Sequence, residues 1–184
     1  MQVNSRTKCV LLIVLSVSLA ATGCSAQWIK VALADLPVLV QMALNIGSLV
    51  TTLDSGKQLS GSDAASIQNI SNEASKDLNL LQVLYDEYQA SPNAATVQKI
   101  RNTIGDIDQN LPALLKAAHI SDPGLSVRVT AGVNLILATV DSFAGLIPNT
   151  AAASQQVSIA KAKDLKKQWN EGVCGATQAG CAVK

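Results

Sequence analysis

Apolar residues recur at intervals of three and four positions along most of the chain after residue 28, which is the spacing of one face of an α-helix. Five segments carry the pattern: residues 28–53, 60–88, 91–118, 123–147 and 151–170. The third is the most regular, with heptad spacing of Val97, Ile100, Ile104, Ile107, Leu111, Leu114 and Ala118. Because most links between the segments are short, consecutive helices are expected to be antiparallel. The pattern therefore predicts an all-α fold, an up-and-down antiparallel bundle of four long helices plus a shorter fifth.

Local signals mark where three of these helices begin. Ser60, followed three residues later by Asp63, resembles a capping box, in which the serine hydroxyl accepts a hydrogen bond from a free amide of the first turn. A capping residue followed by proline is a second kind of start, because proline fits the first helical turn. This second signal occurs at Ser91-Pro92 and at Asp122-Pro123.

Proline and glycine mark interruptions and ends. Pro112 lies inside the third segment, so a kink or a restart of the helix is expected near Asn110. Pro148-Asn149 is expected to stop the fourth helix, and Gly172 is expected to stop the fifth.

The first helical segment contains an uncharged run, residues 36–53, that approaches the length of a membrane span. Pro37, Gln41 and Asn45 interrupt its apolar character. Two interpretations follow. These three residues argue against a membrane span, so a helix buried in the bundle is the favoured interpretation. Insertion into a membrane is the alternative.

The N-terminal residues have the organisation of an export signal. Arg6 and Lys8 precede a short apolar stretch, residues 9–21, which is shorter than the roughly 20 residues that span a bilayer. The stretch runs into Ala20-Ala21-Thr22-Gly23-Cys24, which resembles the lipobox of bacterial lipoproteins, with Ala21 where that family usually has leucine. The resemblance implies that the thiol of Cys24 is acylated and that the chain is cut before it.

This resemblance divides the chain into a signal peptide (1–23), a helical bundle domain (24–172) and a C-terminal tail (173–184). It implies a protein of the cell envelope, held in a membrane through Cys24 and facing the periplasm or the exterior. Ser25 stands where many inner-membrane lipoproteins have aspartate, which favours the outer membrane where one exists. Ordinary secretory cleavage after Ala26, giving a soluble exported chain, is the alternative, and an uncleaved anchor is a third.

Two cysteines remain near the end of the chain. Cys174 and Cys181 are separated by six small or polar residues with glycine at both ends. Because the envelope is oxidising, a structural disulfide that closes this loop is expected. A metal site would need more ligands than two thiols, and a redox-active pair is usually the tighter Cys-x-x-Cys.

Composition and charge narrow the class of protein. Hydrophobic residues make up 48% of the 184 residues and aromatic residues only 3%, so aliphatic side chains must fill the core. Without residues 1–23 the chain has 12 basic and 13 acidic residues, a net charge of −1 that argues against nucleic acid as a partner. A local excess of lysine lies in the fifth segment, at Lys161, Lys163, Lys166 and Lys167. These lysines are expected to form a solvated helix face, or alternatively to contact anionic headgroups.

Candidate chemistry is sparse. His119, the single histidine, falls near a helix C-terminus, where a positive imidazole is favourable. Asp106 and Asp108 are two positions apart, so on a helix they point to different sides. Asp86-Glu87, between two tyrosines, could edge a binding patch, but a solvated face is the simpler interpretation. No nucleotide-binding or hydrolase motif occurs, and no cofactor or metal is expected.

These observations lead to two hypotheses about function. The first is a non-enzymatic, lipid-anchored envelope protein whose bundle has a structural or partner-binding role, with an envelope protein or a second copy of the chain as partner. The second is a carrier or binding module for a small hydrophobic ligand held between the helices.

Overall fold

The computed structural model of the chain describes residues 29–52, 59–147, 160–175 and 181–184, and within these ranges all regular secondary structure is helical. Helix α1 spans residues 29–48 and continues as a short 3₁₀ helix, Leu49–Thr52. The other helices are α2 (Gly61–Ala90), α3 (Ala94–Ala117), α4 (Pro123–Leu146) and α5 (Ala162–Trp169). A single π-helical segment, Asn170–Cys174, extends α5. The predicted all-α fold, with four long helices and a shorter fifth, is confirmed.

Contacts between neighbouring helices establish their antiparallel order. The Ser71 hydroxyl on α2 donates to the Ala43 carbonyl oxygen on α1, at 2.8 Å. Near the end of α2, the Glu87 carboxylate accepts from the Thr96 hydroxyl in the first turn of α3, also at 2.8 Å. At the other end of α2, the Asp63 carboxylate accepts from the backbone N–H of Ser121, in the link between α3 and α4. The start of α1, the end of α2, the start of α3 and the end of α4 therefore lie together at one end of the bundle.

The core is mostly aliphatic, with three large aromatic side chains buried in it. Tyr85 on α2 and Phe143 on α4 are fully buried and meet edge to face, with ring centroids 6.3 Å apart. Trp169 at the end of α5 is also fully buried. Each fully buried aliphatic side chain contributes about 1.5–3 kcal/mol to folding, so the continuous apolar interior is the main source of stability. Its heptad positions on α3 are Ile100, Ile104, Ile107 and Leu111.

Two of the predicted helix starts are confirmed and one is wrong. The Ser60 hydroxyl accepts from the Asp63 amide at 3.1 Å, and the Asp122 carboxylate accepts from the Leu125 amide at 2.8 Å. The N-cap of α3 is Asn93, and not the expected Ser91. Only three residues separate α2 from α3, and the Ser91 amide is already used to close α2 through the Glu87 carbonyl oxygen.

The helix restart expected in α3 and the stop expected in α5 also differ from the structure. Helix α3 is continuous from Ala94 to Ala117 through Pro112, so the helix does not restart near Asn110. The end of α5 is displaced from Gly172 to Gly175, whose φ of 71° is left-handed and therefore suits glycine. The described part of this segment becomes helical only at Ala162, and residues 151–159 of the predicted fifth helix lie outside the described residues.

Two helices, Ile29–Thr51 and Pro123–Leu146, are long and apolar enough to cross a membrane by length and composition alone. Core helices of soluble bundles pass the same test. Pro37 and Gln41, two of the residues that interrupt the uncharged run of α1, are exposed, whereas Leu36 and Leu39 are fully buried in the core. This alternation is that of an amphipathic bundle helix.

Candidate functional site

The C-terminal residues form a clamp over the bundle. We use the name C-terminal clamp for residues 160–175 and 181–184, which consist of α5, its π-helical extension and the end of the chain. A disulfide between Cys174 and Cys181 closes the clamp, as expected from the sequence, with a Cα–Cα distance of 5.5 Å. Both cysteines are buried, at 4% and 0% exposure, so the disulfide is part of the packed interior.

The carbonyl oxygen of Cys181 joins three parts of the chain. It accepts from the side-chain amide of Asn45 on α1 at 2.8 Å and from the indole N–H of Trp169 at 2.9 Å. Gln41, one turn before Asn45, donates to the Asn45 side-chain oxygen at 2.9 Å and so orients the amide. If the end of the chain moved away, the Asn45 and Trp169 donors would lose the Cys181 carbonyl oxygen as acceptor. Each donor left buried and unpaired would cost about 1–3 kcal/mol, so both bonds favour the closed clamp.

Trp169 is the side chain that the clamp inserts between α1 and α4. A β-carbon placed on Gly132 of α4 would lie 3.0 Å from the indole ring and 3.5 Å from Ile46 of α1. The absence of a side chain at Gly132 therefore makes room for the indole. This close packing counts against a ligand cavity between α1, α4 and α5.

Further hydrogen bonds fix the rest of the clamp. Arg128 on α4 donates through Nε to the Val173 carbonyl oxygen at 2.7 Å. Asn170 and Val183 exchange two hydrogen bonds, with the Val183 amide donating at 2.9 Å and the Asn170 amide donating at 3.2 Å. The end of the chain is thus held against the π-helical segment on one side and against α1 on the other.

Asp35 connects the start of the clamp to α1. It is only 2% exposed, and it accepts a hydrogen bond from the backbone N–H of Ala162, the first residue of α5. Its other oxygen, Oδ2, is buried and has no hydrogen-bond partner in the described part of the chain. Burial raises the pKa of Asp35 to about 6, although the Ala162 amide opposes the shift.

Two further carboxyl groups lie between the helices. Burial raises the pKa of Asp77 on α2, with Glu73 and Asp106 adding to the shift and Lys76 opposing it. Burial also raises the pKa of Asp108 on α3, and the nearby Asp141 of α4 acts in the same direction. Asp106 thus faces α2 while Asp108 faces α4, so the expectation that these two residues point to different sides is confirmed.

Asp63 shows the opposite behaviour. Its carboxylate accepts from the backbone N–H of Ser121 at 2.9 Å, and this bond, with help from Ser60, lowers the pKa of Asp63. The carboxylate therefore ties the start of α2 to the link between α3 and α4. It does not return a bond to the Ser60 amide, as a complete capping box would require.

The lysines of the fifth segment do not form one uniform patch. Lys161 and Lys163 are exposed at the start of α5, and Lys167 is exposed one turn later. Lys166 is half-buried and donates from Nζ to the Lys184 carbonyl oxygen at 2.6 Å, which makes it part of the clamp.

The other candidate residues are dispersed. His119 is exposed in the link after α3. Tyr85 is in the core and Tyr88 is half-buried, while Asp86 and Glu87 are exposed, which agrees with a solvated helix face. Among the described residues, no group of three or more histidine, cysteine or acidic side chains could hold a metal ion. Cys24, the predicted lipidation site, lies outside the described residues.

Sequence reasoning found the disulfide but missed the groups that the clamp contacts. Asn45 stands out in the sequence only as a polar residue in an apolar run, and Arg128 has no local signal; the partner of each is distant in sequence. Asp35 directly precedes the uncharged run of residues 36–53, but this position does not indicate that it binds the first residue of α5.

Comparison with known proteins gives no assignment. No protein-family model matches the chain, and no curated protein or solved structure is found to be similar to it.

Proposed function

We propose that the chain is a non-enzymatic, lipid-anchored protein of the bacterial cell envelope, with a helical bundle that serves a structural or partner-binding role. The observation that carries the proposal is the Ala20–Cys24 motif, which resembles a lipobox and directly precedes the bundle. Only residues 25–28 separate Cys24 from the first described residue of α1.

The buried disulfide supports the export part of the proposal. Disulfides form and persist in oxidising compartments and are rare in the cytosol. The disulfide between Cys174 and Cys181 is part of the packed interior, and it needs an oxidising environment to form. An exported bundle of this kind is expected to depend on the oxidising envelope for its full stability.

The arrangement of polar groups supports a non-enzymatic role. The three carboxyl groups with raised pKa values have different neighbours: Asp35 has the Ala162 amide, Asp77 has Glu73 and Asp106, and Asp108 has Asp141. None of the three acts on the pKa of another. Asp35 caps α5, and His119 is exposed in a link. Turnover of any substrate that is abolished by Asp35→Asn, Asp77→Asn, Asp108→Asn or His119→Ala in a folded variant would contradict this role.

Metabolic labelling tests the anchor. Cells that express the full chain are grown with an alkyne fatty acid, and the protein is then examined for label and for membrane association. Cys24→Ser is expected to lose both, whereas the matched variant Cys9→Ser, in the signal region, is expected to keep both. Label that persists in Cys24→Ser, or an unlabelled soluble wild-type chain that begins at Gln27, would overturn the proposal.

A further inference from the structure

The side of α1 that faces away from the bundle has an apolar surface. Within residues 31–48 the only charged side chain is Asp35, and it is buried against the start of α5. Only 50% of the most apolar 18-residue window in Ile29–Thr51 is buried in the bundle. Steps of four, three and four positions place four residues together on the outward side, and we call them the outer face of α1: Leu33, Pro37, Val40 and Leu44.

The outer face is accessible and has a polar but uncharged border. Leu44 is 50% exposed and Pro37 is also exposed, while the other two members are half-buried. On α2, Gln68 borders this side of α1, because a β-carbon placed on Gly47 would lie 3.1 Å from its Oε1 atom. Gln68 donates in turn to the Asn72 side-chain oxygen at 2.9 Å. Exposed apolar groups with a polar rim are typical of interaction surfaces.

The other large apolar side chains that are exposed in the described part of the chain share their surfaces with charges. Leu80 and Val83 lie on the same side of α2 as the exposed Lys76. Val127 on α4 shares its side of the helix with the exposed Asp141, two heptads further along. The outer face of α1 is therefore the surface best suited to an apolar environment.

The proposed lipid tether joins the bundle at the start of α1. Five Cα–Cα steps separate Cys24 from Ile29, and they span at most about 18 Å. The outer face begins at Leu33, about 6 Å along α1, and ends at Leu44, about 22 Å along it. An acyl group on Cys24 would therefore keep the outer face within reach of the bilayer and raise the effective concentration of lipid beside it.

We propose that the outer face of α1 lies in the boundary between headgroups and acyl chains of the membrane that holds Cys24, with α1 parallel to the bilayer. This inference rests on the proposed lipid anchor. Amphipathic helices that lie in this boundary bury their apolar side about 5–10 Å deep. Lys30, the one exposed charged residue of α1, is next to the tether, where its aliphatic stem lets the ammonium group reach the headgroups.

The small size of the outer face favours a membrane over a second copy of the chain. A stable protein–protein interface buries about 800 Å² on each partner. The outer face consists of four side chains on one helix, and two of them are already half-buried. A tethered bilayer does not need such an area, because the anchor supplies the proximity and the apolar contact has only to supply the orientation.

Fluorescence quenching measures which side of the bundle meets the bilayer. The chain from residue 24 is coupled through the Cys24 thiol to maleimide lipids in phosphatidylcholine vesicles, since its other two cysteines are in the disulfide. A small fluorophore is placed, through a bioorthogonal amino acid, either at Pro37 on the outer face or at Gln109 on α3; both positions are exposed. Helix α3 packs on α2 and α4, which both also contact α1, so α3 lies across the bundle from α1.

Two quenchers report the two environments. A nitroxide on the lipid acyl chain quenches a fluorophore in the boundary, and iodide quenches one in water. Acyl-chain quenching at position 37 is expected to exceed that at position 109 by at least about twofold, because α3 lies about 20 Å further from the bilayer. Iodide is expected to give the reverse order. Both differences are expected to persist at 1 M salt, since salt screens charges and does not weaken an apolar contact.

New charges on the outward side of α1 are expected to abolish the difference. The double variant Ala34→Glu, Leu44→Glu changes two exposed positions on either side of position 37, and its acyl-chain quenching there is expected to fall to the value at position 109. The matched double variant Val127→Glu, Ala138→Glu adds the same charge at exposed positions of α4 and is expected to retain the wild-type difference. Both double variants are expected to unfold in urea like the wild type, because none of the four side chains is buried.

Equal acyl-chain quenching at positions 37 and 109 would overturn the inference, and so would equal effects of the two double variants. Protection of position 37 from iodide without acyl-chain quenching would also overturn it and would indicate a second copy of the chain as the occupant. These outcomes are independent of the lipid anchor in the cell. Loss of the anchor would appear as an unmodified Cys24 in protein from the host, whereas the vesicle experiment supplies its own tether.

Discussion

The carboxylate of Asp35 on α1 accepts a hydrogen bond from the backbone N–H of Ala162, the first residue of α5. Helix α5 has no side-chain cap of its own, because Lys161 occupies the N-cap position. Asp35 therefore acts as a cap that is supplied by another helix. The bond fixes where the clamp begins on α1, and it keeps a carboxyl group almost fully buried.

Stability is expected to fall as pH rises through about 6. A folded-state pKa raised from 3.8 to about 6 means that folding favours the protonated form of Asp35, so its contribution is complete below about pH 4 and is lost above pH 6. A shift of this size corresponds to at most about 3 kcal/mol. Urea unfolding at pH 5 and pH 8 measures it, and Asp35→Asn is expected to lose less stability between these values than the wild type.

The control for this experiment is Asp164→Asn, which neutralises an exposed acidic residue in the first turn of α5. It is expected to keep the wild-type dependence on pH. Equal dependence of the wild type and Asp35→Asn would show that Asp35 is not the group responsible.

Removal of the disulfide is expected to destabilise the fold by about 2–3 kcal/mol, from the loop-closure entropy of a sequence separation of seven residues. The double variant Cys174→Ser, Cys181→Ser is compared with the wild type by urea unfolding. Its Trp169 emission is also expected to shift to the red, because the Cys181 carbonyl oxygen holds the indole N–H. Reductant should then reduce wild-type stability and leave the double variant unchanged, and unchanged wild-type stability in reductant would contradict a structural role.

Two glycines form a matched test of the packing at the clamp. An alanine at Gly132 would bring its β-carbon within 3.0 Å of Trp169, whereas an alanine at Gly105 of α3 would meet nothing within 4 Å. Gly105→Ala is expected to stabilise the protein by up to about 1 kcal/mol through helix propensity. Gly132→Ala is expected to destabilise it by about 1–2 kcal/mol, since overpacking outweighs the same gain. Thermal unfolding that shows equal effects at both positions would contradict the described position of Trp169.

Alanine variants of Asn45 and Gln41 measure separately what the buried amide and its exposed neighbour contribute to the free energy of unfolding. Asn45→Ala removes a buried donor to Cys181 and is expected to cost about 1–3 kcal/mol. Gln41 is exposed and acts only through Asn45, so Gln41→Ala is expected to cost less than about 1 kcal/mol. Urea unfolding measures both, and a larger effect of Gln41→Ala would reverse the assigned roles.

The helices were predictable because their signals are local. The heptad spacing from Ile100 to Leu111 marks the buried face of α3, and Ser60 and Asp122 cap the helices that they precede. The error at Ser91 has a physical reason. A serine before proline can cap the next helix or end the previous one, and local sequence does not distinguish the two uses.

The clamp was only partly predictable because its contacts are long-range. The disulfide joins cysteines seven positions apart, so their spacing and the expected compartment were enough. The bond from Asn45 to Cys181 spans 136 positions, and the bond from Arg128 to Val173 spans 45. No periodicity or motif indicates such pairs, because they depend on how α5 lies across α1 and α4.

The proposed membrane anchor at Cys24 is tested most directly by the intact mass of the protein extracted from the membranes of its host. We expect a chain that begins at Cys24, carries the additional mass of acyl groups and retains the Cys174–Cys181 disulfide. A soluble chain that begins at Gln27 without added mass would contradict it, and a small apolar molecule bound to that chain would favour a ligand carrier instead.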